Sequence, residues 1–271
     1  MKRHPLRGSG FTLIELAMVL FIVSLLIGGL LMPLAAQNEI RGRQETDRAL
    51  SNIREALIGF AAVNGRLPCP ADRTIASGAT NAGMEATAGT GATLTCACAS
   101  VTSVVAKVGT TACTPNSITG VLPWATLGLP ETDAWDQRFD YRVDAVFSRG
   151  VISAPLLTTS WGTGCAFTQV SDMPTRAAFA LCTQGDMSVK TVAGGSDIAT
   201  SVPAIVLSHG KNMLGAYLKT GTGSVAGAAG DELENANDDA IFVSNSNIDD
   251  QLIWLPTSIL MGRMLAAGKL P

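Results

Sequence analysis

Three groups of residues in this chain have types and spacings that could do chemistry. The first is Glu15, the only ionisable side chain between Phe11 and Ala36. A carboxylate inside an apolar helix is costly in hydrocarbon, roughly 2.5 to 3.5 kcal/mol at mid-helix on insertion scales. Its natural partner is a positive charge, and the run supplies none, so the partner is expected on another chain. The second group is Ser208-His209-Gly210. A serine hydrolase needs a nucleophile, a base and an orienting acid in mutual hydrogen-bond reach. Adjacent residues at a strand end point to opposite faces, and no Gly-x-Ser-x-Gly pattern surrounds them. A turn after a buried strand is therefore expected, without catalysis. The third is the acidic stretch Asp231-Glu232-Leu233-Glu234-Asn235-Ala236-Asn237-Asp238-Asp239. Carboxylates and amides are the oxygen ligands that calcium prefers. The spacing is not that of an EF-hand, and Lys211 in the preceding Ser208-to-Asn212 stretch opposes a cation. A structural calcium ion and a solvated acidic loop both stay open.

The elements that must position these groups begin with a basic leader, Lys2, Arg3 and Arg7, followed by a mostly apolar run from Phe11 to Ala36. A membrane span needs about twenty apolar residues, so the run is long enough for one. A secretory signal has a shorter apolar core with its small residues after it; here Gly10 comes before. The whole chain has 271 residues and a net charge of −3. Removing residues 1–10 would take away three of 19 basic residues, leaving 16 against 22 acidic ones, or −6. Nothing in that balance, and no basic aromatic patch, points to nucleic acid. All six cysteines (Cys69, Cys96, Cys98, Cys113, Cys165 and Cys182) follow the apolar run. Placed outside the cytoplasm they would form disulfides. The expected pairing is Cys165 with Cys182, and Cys69 and Cys113 bridged through Cys96 and Cys98. Cys96-x-Cys98 with Cys113 fits no common zinc spacing.

The stretch Gly10-Phe11-Thr12-Leu13-Ile14-Glu15, with the apolar run to Leu31, resembles the leader and N-terminal helix of the type IV pilin superfamily. That superfamily includes type IV pilins, type II secretion pseudopilins and competence pilins. The resemblance implies cleavage between Gly10 and Phe11 by a prepilin peptidase and N-methylation of Phe11. It also implies that Glu15 neutralises the terminal amine of a neighbouring subunit during assembly. Further along, Leu122-Pro-Trp-Ala-Thr-Leu-Gly-Leu and Asp133-Ala-Trp, with Tyr141-Arg-Val, look like a pattern seen in some pilin-like proteins. They also look like the Asp-Pro-Trp-Gly…Tyr motif of major pseudopilins, with Ala134 and Asp136 in place of the proline and glycine. Trp124 and Trp135 are expected to pack in the core. Major pseudopilins carry a calcium loop near the place of the acidic stretch here.

Helical spacing continues past the apolar run. Leu50, Ile53, Leu57, Phe60 and Ala61 form one apolar face, and charged residues such as Glu45, Asp47, Arg48, Arg54 and Glu55 occupy much of the rest. One helix is expected from Phe11 to about Asn64, interrupted or bent around Gly28-Gly29 and Pro33, and stopped by Gly65. By the resemblance, that interruption would melt as subunits pack. Residues 71–117 read as a loop-heavy region, with one strand at Val101 to Val108. Phe139, Tyr141, Val143, Ala145 and Phe147 alternate with Arg138, Asp140, Arg142 and Asp144, a half-buried strand of period two. Further strands are expected at Ala204–Leu207, Ala240–Val243 and Gln251–Leu255, and a helix at Ile259–Ala267.

These readings imply an α+β chain: a long N-terminal membrane-spanning helix packed on an antiparallel β-sheet. The expected divisions are a cleaved leader (1–10), a transmembrane and filament-core helix (11–36), the soluble half of that helix (37–65) and a disulfide-containing β-rich domain (66–271). The expected function is a structural subunit, minor or large, of a type IV pilus or type II secretion pseudopilus, without enzymatic activity. A DNA-uptake pilus is a third setting. The expected partners are like subunits and other pilins, the prepilin peptidase, an inner-membrane assembly platform and, before assembly, the lipid bilayer. The chain would then sit in the inner membrane with its C-terminal domain in the periplasm, and later in a filament. The alternative is a membrane-anchored binding module or adhesin that never polymerises.

Overall fold

Helix α1 runs from Leu13 to Asn64. Leu50, Ile53, Leu57, Ile58 and Ala61 are buried along one face, the stripe that helical spacing predicts. Phe60 is instead half-buried, with the Arg66 guanidinium 5.4 Å from its ring centroid. Gly65 ends the helix with φ +74°, the left-handed stop that glycine adopts without a Cβ clash. The computed structural model describes residues 12–90, 94–102, 105–112, 117–151, 165 and 177–270, with backbone alone for 28–35, 98–102, 105–112 and 117. Its contacts divide the chain into two compact units, Met1–Gly42 and Arg43–Pro271.

Two sequence expectations about α1 need correction. Among the described residues, no helix is long and apolar enough to cross a membrane. The expected membrane-spanning helix is therefore not present among them. Helix α1 also continues through Gly28-Gly29 and Pro33, so the chain is not interrupted there.

The second unit is built on a seven-stranded sheet. Its strands are β1 (Thr87–Ala88), β2 (Thr95–Thr102), β3 (Val105–Ala112), β4 (Ser117–Val121), β5 (Asp140–Asp144), β8 (Ala204–Ser208) and β10 (Gln251–Trp254), adjacent in that order. A smaller sheet has β6 (Met187–Lys190) between β7 (Asp197–Val202) and β9 (Ile241–Val243). Most ladders are antiparallel, but β3 with β4 and β6 with β9 run parallel. The sheets are thus mixed where purely antiparallel pairing was expected. Short helices α2 (Trp124–Leu127), α3 (Ala145–Ser148) and α4 (Asp231–Ala236) lie in the connections, and α5 (Thr257–Ala266) closes the chain.

Strand alternation sorts the core into two layers. Ala204 and Val206 of β8 and Tyr141 and Val143 of β5 join Leu50, Ile53 and Leu57 of α1, with Leu260 and Met264 of α5. Ile205 of β8, between them, joins Met187, Val189 and Phe242 of the small sheet, with Leu252 and Trp254 of β10 packed alongside. Both faces of β5 and β8 are therefore covered. This overturns the half-buried reading of residues 139–147. Arg138, Arg142 and Asp144 are buried, and Arg142 lies 5.7 Å from the Phe242 ring centroid on β9. The strand also stops at Asp144, whose carboxylate accepts the Val146 N–H at 2.7 Å and caps α3. Elsewhere the single strand expected at 101–108 is two, β2 and β3.

Cys165 and Cys182 are bonded, as expected, and Cys69 is bonded to Cys96. Cys113 lies outside the described residues. The Cys69–Cys96 bridge is buried and ties the chain leaving α1 to β2.

Candidate functional site

The first candidate is the start of α1. Gly10 and Phe11, the expected cleavage and methylation positions, lie outside the described residues. Glu15 is exposed, and its Oε2 accepts from the Thr12 backbone N–H and the Thr12 hydroxyl, each at 3.0 Å. The Glu15 N–H reaches back to the Thr12 hydroxyl at 3.3 Å. These reciprocal bonds form a capping box, which satisfies backbone donors left open at a helix start. Beyond the cap the helix is apolar on every side. Leu13 is 88 % exposed and Phe21 66 %, and even the least exposed large side chain of the stretch, Val23, is 43 % exposed.

The second candidate is a buried polar cluster around the start of β5 and the end of β8. Asp133 organises the turn that carries Trp135. Its Oδ1 accepts the Trp135 and Gln137 N–H groups, both at 2.9 Å. Its Oδ2 takes the Ser208 hydroxyl at 2.6 Å. Burial pushes the Asp133 carboxyl above its usual range, against those hydrogen bonds. His209 is fully buried. Its Nε2 lies 3.3 Å from Asp140 and its Nδ1 3.8 Å from Asp250. The Ser208 hydroxyl is thus directed to a carboxylate and the imidazole to two others.

Arginines line the same layer. Arg138 donates from Nε to Glu131 at 2.8 Å and lies 4.9 Å from the Trp124 ring centroid. Arg73 pairs with Asp238 at 3.3 Å and stacks 3.9 Å from the Tyr217 ring centroid. Burial lowers the Arg142 guanidinium to about 10, against the pull of Asp186 and Asp238. Burial raises the Asp144 carboxyl to about 7, helped by the charge of Asp186.

The acidic stretch does not converge on one point. Its first half is α4, whose Asp231 accepts from the Ala193 N–H at 2.8 Å and from Asn245 at 2.7 Å. Glu232 accepts from Asn212 at 2.6 Å, Asp238 pairs with Arg73, and Asp239 caps the entry to β9 through the Ile241 N–H at 2.7 Å. Among the described residues no group of three or more His, Cys, Asp or Glu side chains could hold a metal ion.

Compared with known protein families, curated proteins and solved structures, the chain matches none of them.

The turn at Asp133 shows how the departures from the pseudopilin-like motif are accommodated. Asp136, standing where that motif has glycine, adopts φ +66°, a conformation glycine favours. Its carboxylate accepts from Lys219 at 2.6 Å. Trp124 is buried as expected, against Ala71 and Val121. A Cβ at Gly83 would fall 2.2 Å from the Trp124 ring, so only glycine fits that approach. Trp135 is half-exposed on the turn instead of in the core.

Sequence reasoning missed two features. The capping box was readable as Thr12-x-x-Glu15 before an apolar run. The pairing of Asp140 and Asp250 with His209 was not, because the three residues come from distant segments.

Proposed function

We propose that this chain is a structural subunit of a type IV pilin-like filament, either a pilus or a type II secretion pseudopilus. In this reading it is processed between Gly10 and Phe11 and assembled through the start of α1. The observation that carries the proposal is the apolar surface of Leu13–Ile27, exposed on every side and opened by a lone carboxylate. A helix apolar all round needs burial, at about 25 cal/mol per Å² of apolar area covered. Like helices packed side by side in a fibre core supply that cover. The amine of a neighbour's Phe11 supplies the positive partner that Glu15 lacks along its own apolar run, and pairing removes the cost of two separate charges in a dry core.

The test is the N-terminal peptide, identified by mass spectrometry in sheared fibres and in washed cell envelopes. A peptide beginning at N-methylated Phe11 in the fibres is the expected result. An intact Met1 in the mature protein, with none in the fibres, would favour the anchored binding module. Glu15 itself is tested by two substitutions. Glu15→Gln keeps a cap acceptor for the Thr12 N–H but removes the charge; Glu15→Ala removes both. If pairing drives assembly, both lose filament incorporation. Normal incorporation of Glu15→Gln alongside failure of Glu15→Ala would reduce the role of Glu15 to capping.

A further inference from the structure

His209 stands where three segments of the second unit meet. Its ring is fully buried between Asp140 on β5 and Asp250 at the entry to β10. Both ring nitrogens thus face carboxylate oxygens. A neutral imidazole carries one N–H and one bare lone pair. In either tautomer, one lone pair would point at a carboxylate where water is excluded, an arrangement that costs free energy. Nδ1 of His209 and Oδ1 of Asp250 are indeed both buried without a hydrogen-bond partner. The other Asp250 oxygen accepts from Asn235 Nδ2 of α4 at 2.8 Å.

The surrounding backbone leaves little room for another arrangement. Gly215, with φ +95°, approaches so closely that a Cβ there would lie 3.0 Å from Nδ1. At Gly210, with φ +61°, a Cβ would fall 2.3 Å from the Asp249 carbonyl oxygen. The ring, the 209–216 turn and the Asp249-Asp250 corner are packed against one another.

We propose that His209 is held as a buried imidazolium between the Asp140 and Asp250 carboxylates, a charge clasp that ties the end of β8 to β5 and to the segment entering β10, so that mild acid tightens this layer and alkali loosens it. The charges around the clasp are Asp140 from β5, Asp133 from the turn before it, and Asp249 and Asp250 before β10. Glu232 of α4 acts through Asp250, and on the ring's own segment Lys211 is exposed. Burial alone would push the imidazole down, but Asp140, Asp250 and Asp133 outweigh it and hold its pKa above the ordinary value. Burial raises the Asp250 carboxyl to about 6. Both groups retain a proton in the folded chain that they would release more readily unfolded. Each therefore stabilises the fold fully below its unfolded pKa and loses that contribution as pH rises through its folded pKa. The two effects share a sign: the Asp250 contribution fades between about pH 4 and about pH 6, and the His209 contribution fades above about pH 6.5.

The test is a titration of the ¹⁵N-histidine-labelled full chain in detergent, with His209→Gln used to assign the signal. The expected result is an imidazole with both nitrogens protonated and a midpoint shifted above the ordinary histidine value of about 6.5. Thermal midpoints should fall between about pH 5.5 and about pH 8. Asp250→Asn places an amide N–H opposite Nδ1 while its carbonyl oxygen still accepts from Asn235. That variant should show a lowered imidazole midpoint and a shallower fall of stability with pH. A wild-type midpoint at or below the ordinary value overturns the proposal, whether or not the variant folds. An unchanged midpoint and slope in a folded Asp250→Asn variant overturn it as well.

Discussion

Replacing Arg138 by Met tests whether the charged layer above β5 is structural. The Arg138 side chain has no solvent exposure, while its partner Glu131 is 24 % exposed. Nη1 donates to the Arg73 carbonyl at 3.3 Å, and Nη2 to the Ser77 hydroxyl and the Lys219 carbonyl at 3.2 and 3.4 Å. Met fills most of the volume but donates none of these bonds. Removing one partner of a buried ion pair costs about 3–5 kcal/mol. Water can reach Glu131 and take over part of its solvation, which pulls the figure toward the lower end. The loss of the contact with Trp124 adds about 0.5–2 kcal/mol. The net expectation is about 4 kcal/mol, or a fall of about 8–16 °C in Tm for a unit of this size. Thermal unfolding followed by near-ultraviolet circular dichroism reads the change. Adding Glu131→Gln to the same variant should recover part of it, because the stranded charge is gone. An Arg138→Met variant as stable as the wild type would refute the reasoning: the guanidinium would then only fill space.

Two further substitutions probe the same unit. Asp144→Asn keeps an oxygen for the Val146 N–H but cannot ionise; since burial raises the Asp144 pKa to about 7, the carboxylate destabilises the fold increasingly as pH rises from about 4, its unfolded range, to about 7. Urea denaturation should show Asp144→Asn more stable than wild type at about pH 8 and nearly equal at about pH 3.5, and an equal change at both would rule out the titration argument. Replacing Cys69 and Cys96 by Ser opens a crosslink with a sequence separation of 27, expected to cost about 3–4 kcal/mol from the entropy returned to the unfolded chain. A denaturation midpoint that dithiothreitol lowers in the wild type no further than in this double variant would assign the loss to bridging elsewhere in the chain.

How far the sequence could be read follows from which residues carry their own periodicity. The stripe Leu50, Ile53, Leu57 and Ala61 names its own helix face, and those four side chains are buried. Ala204–Ser208, Gln251–Trp254 and Thr257–Ala266 are elements close to where local composition places them. Alternation failed at β5, because it says which residues share a face and not what covers that face. Arg138, Arg142 and Asp144 look like a solvated edge until β9 is laid over Arg142 and the segments around Arg73–Ser77 and Lys219 over Arg138. The small sheet is hard to anticipate: β6 and β9 pair in parallel with fifty residues between them, and neither has a long apolar run. Ser208-His209 drew notice as chemistry, yet its partners Asp133, Asp140 and Asp250 come from segments that only the folded sheet brings together. At the start of α1 the resemblance singled out Glu15, while the role of Thr12 as its cap was overlooked.

The order in which the chain is made gives the closing helix a particular importance. Leu50, Ile53 and Leu57 near one end of the sequence share a core with Leu260, Met264 and Leu270 at the other. Lys269 also donates to the Val63 carbonyl at 2.8 Å. A nascent chain that has emerged only as far as Leu255 has thus released a helix face with part of its cover yet to come. Until α5 emerges, it carries bare apolar surface at this face as well as at Leu13–Ile27. A stop codon falling after Leu255 would spare every strand of both sheets and still leave the chain unfinished in the one place that seals it.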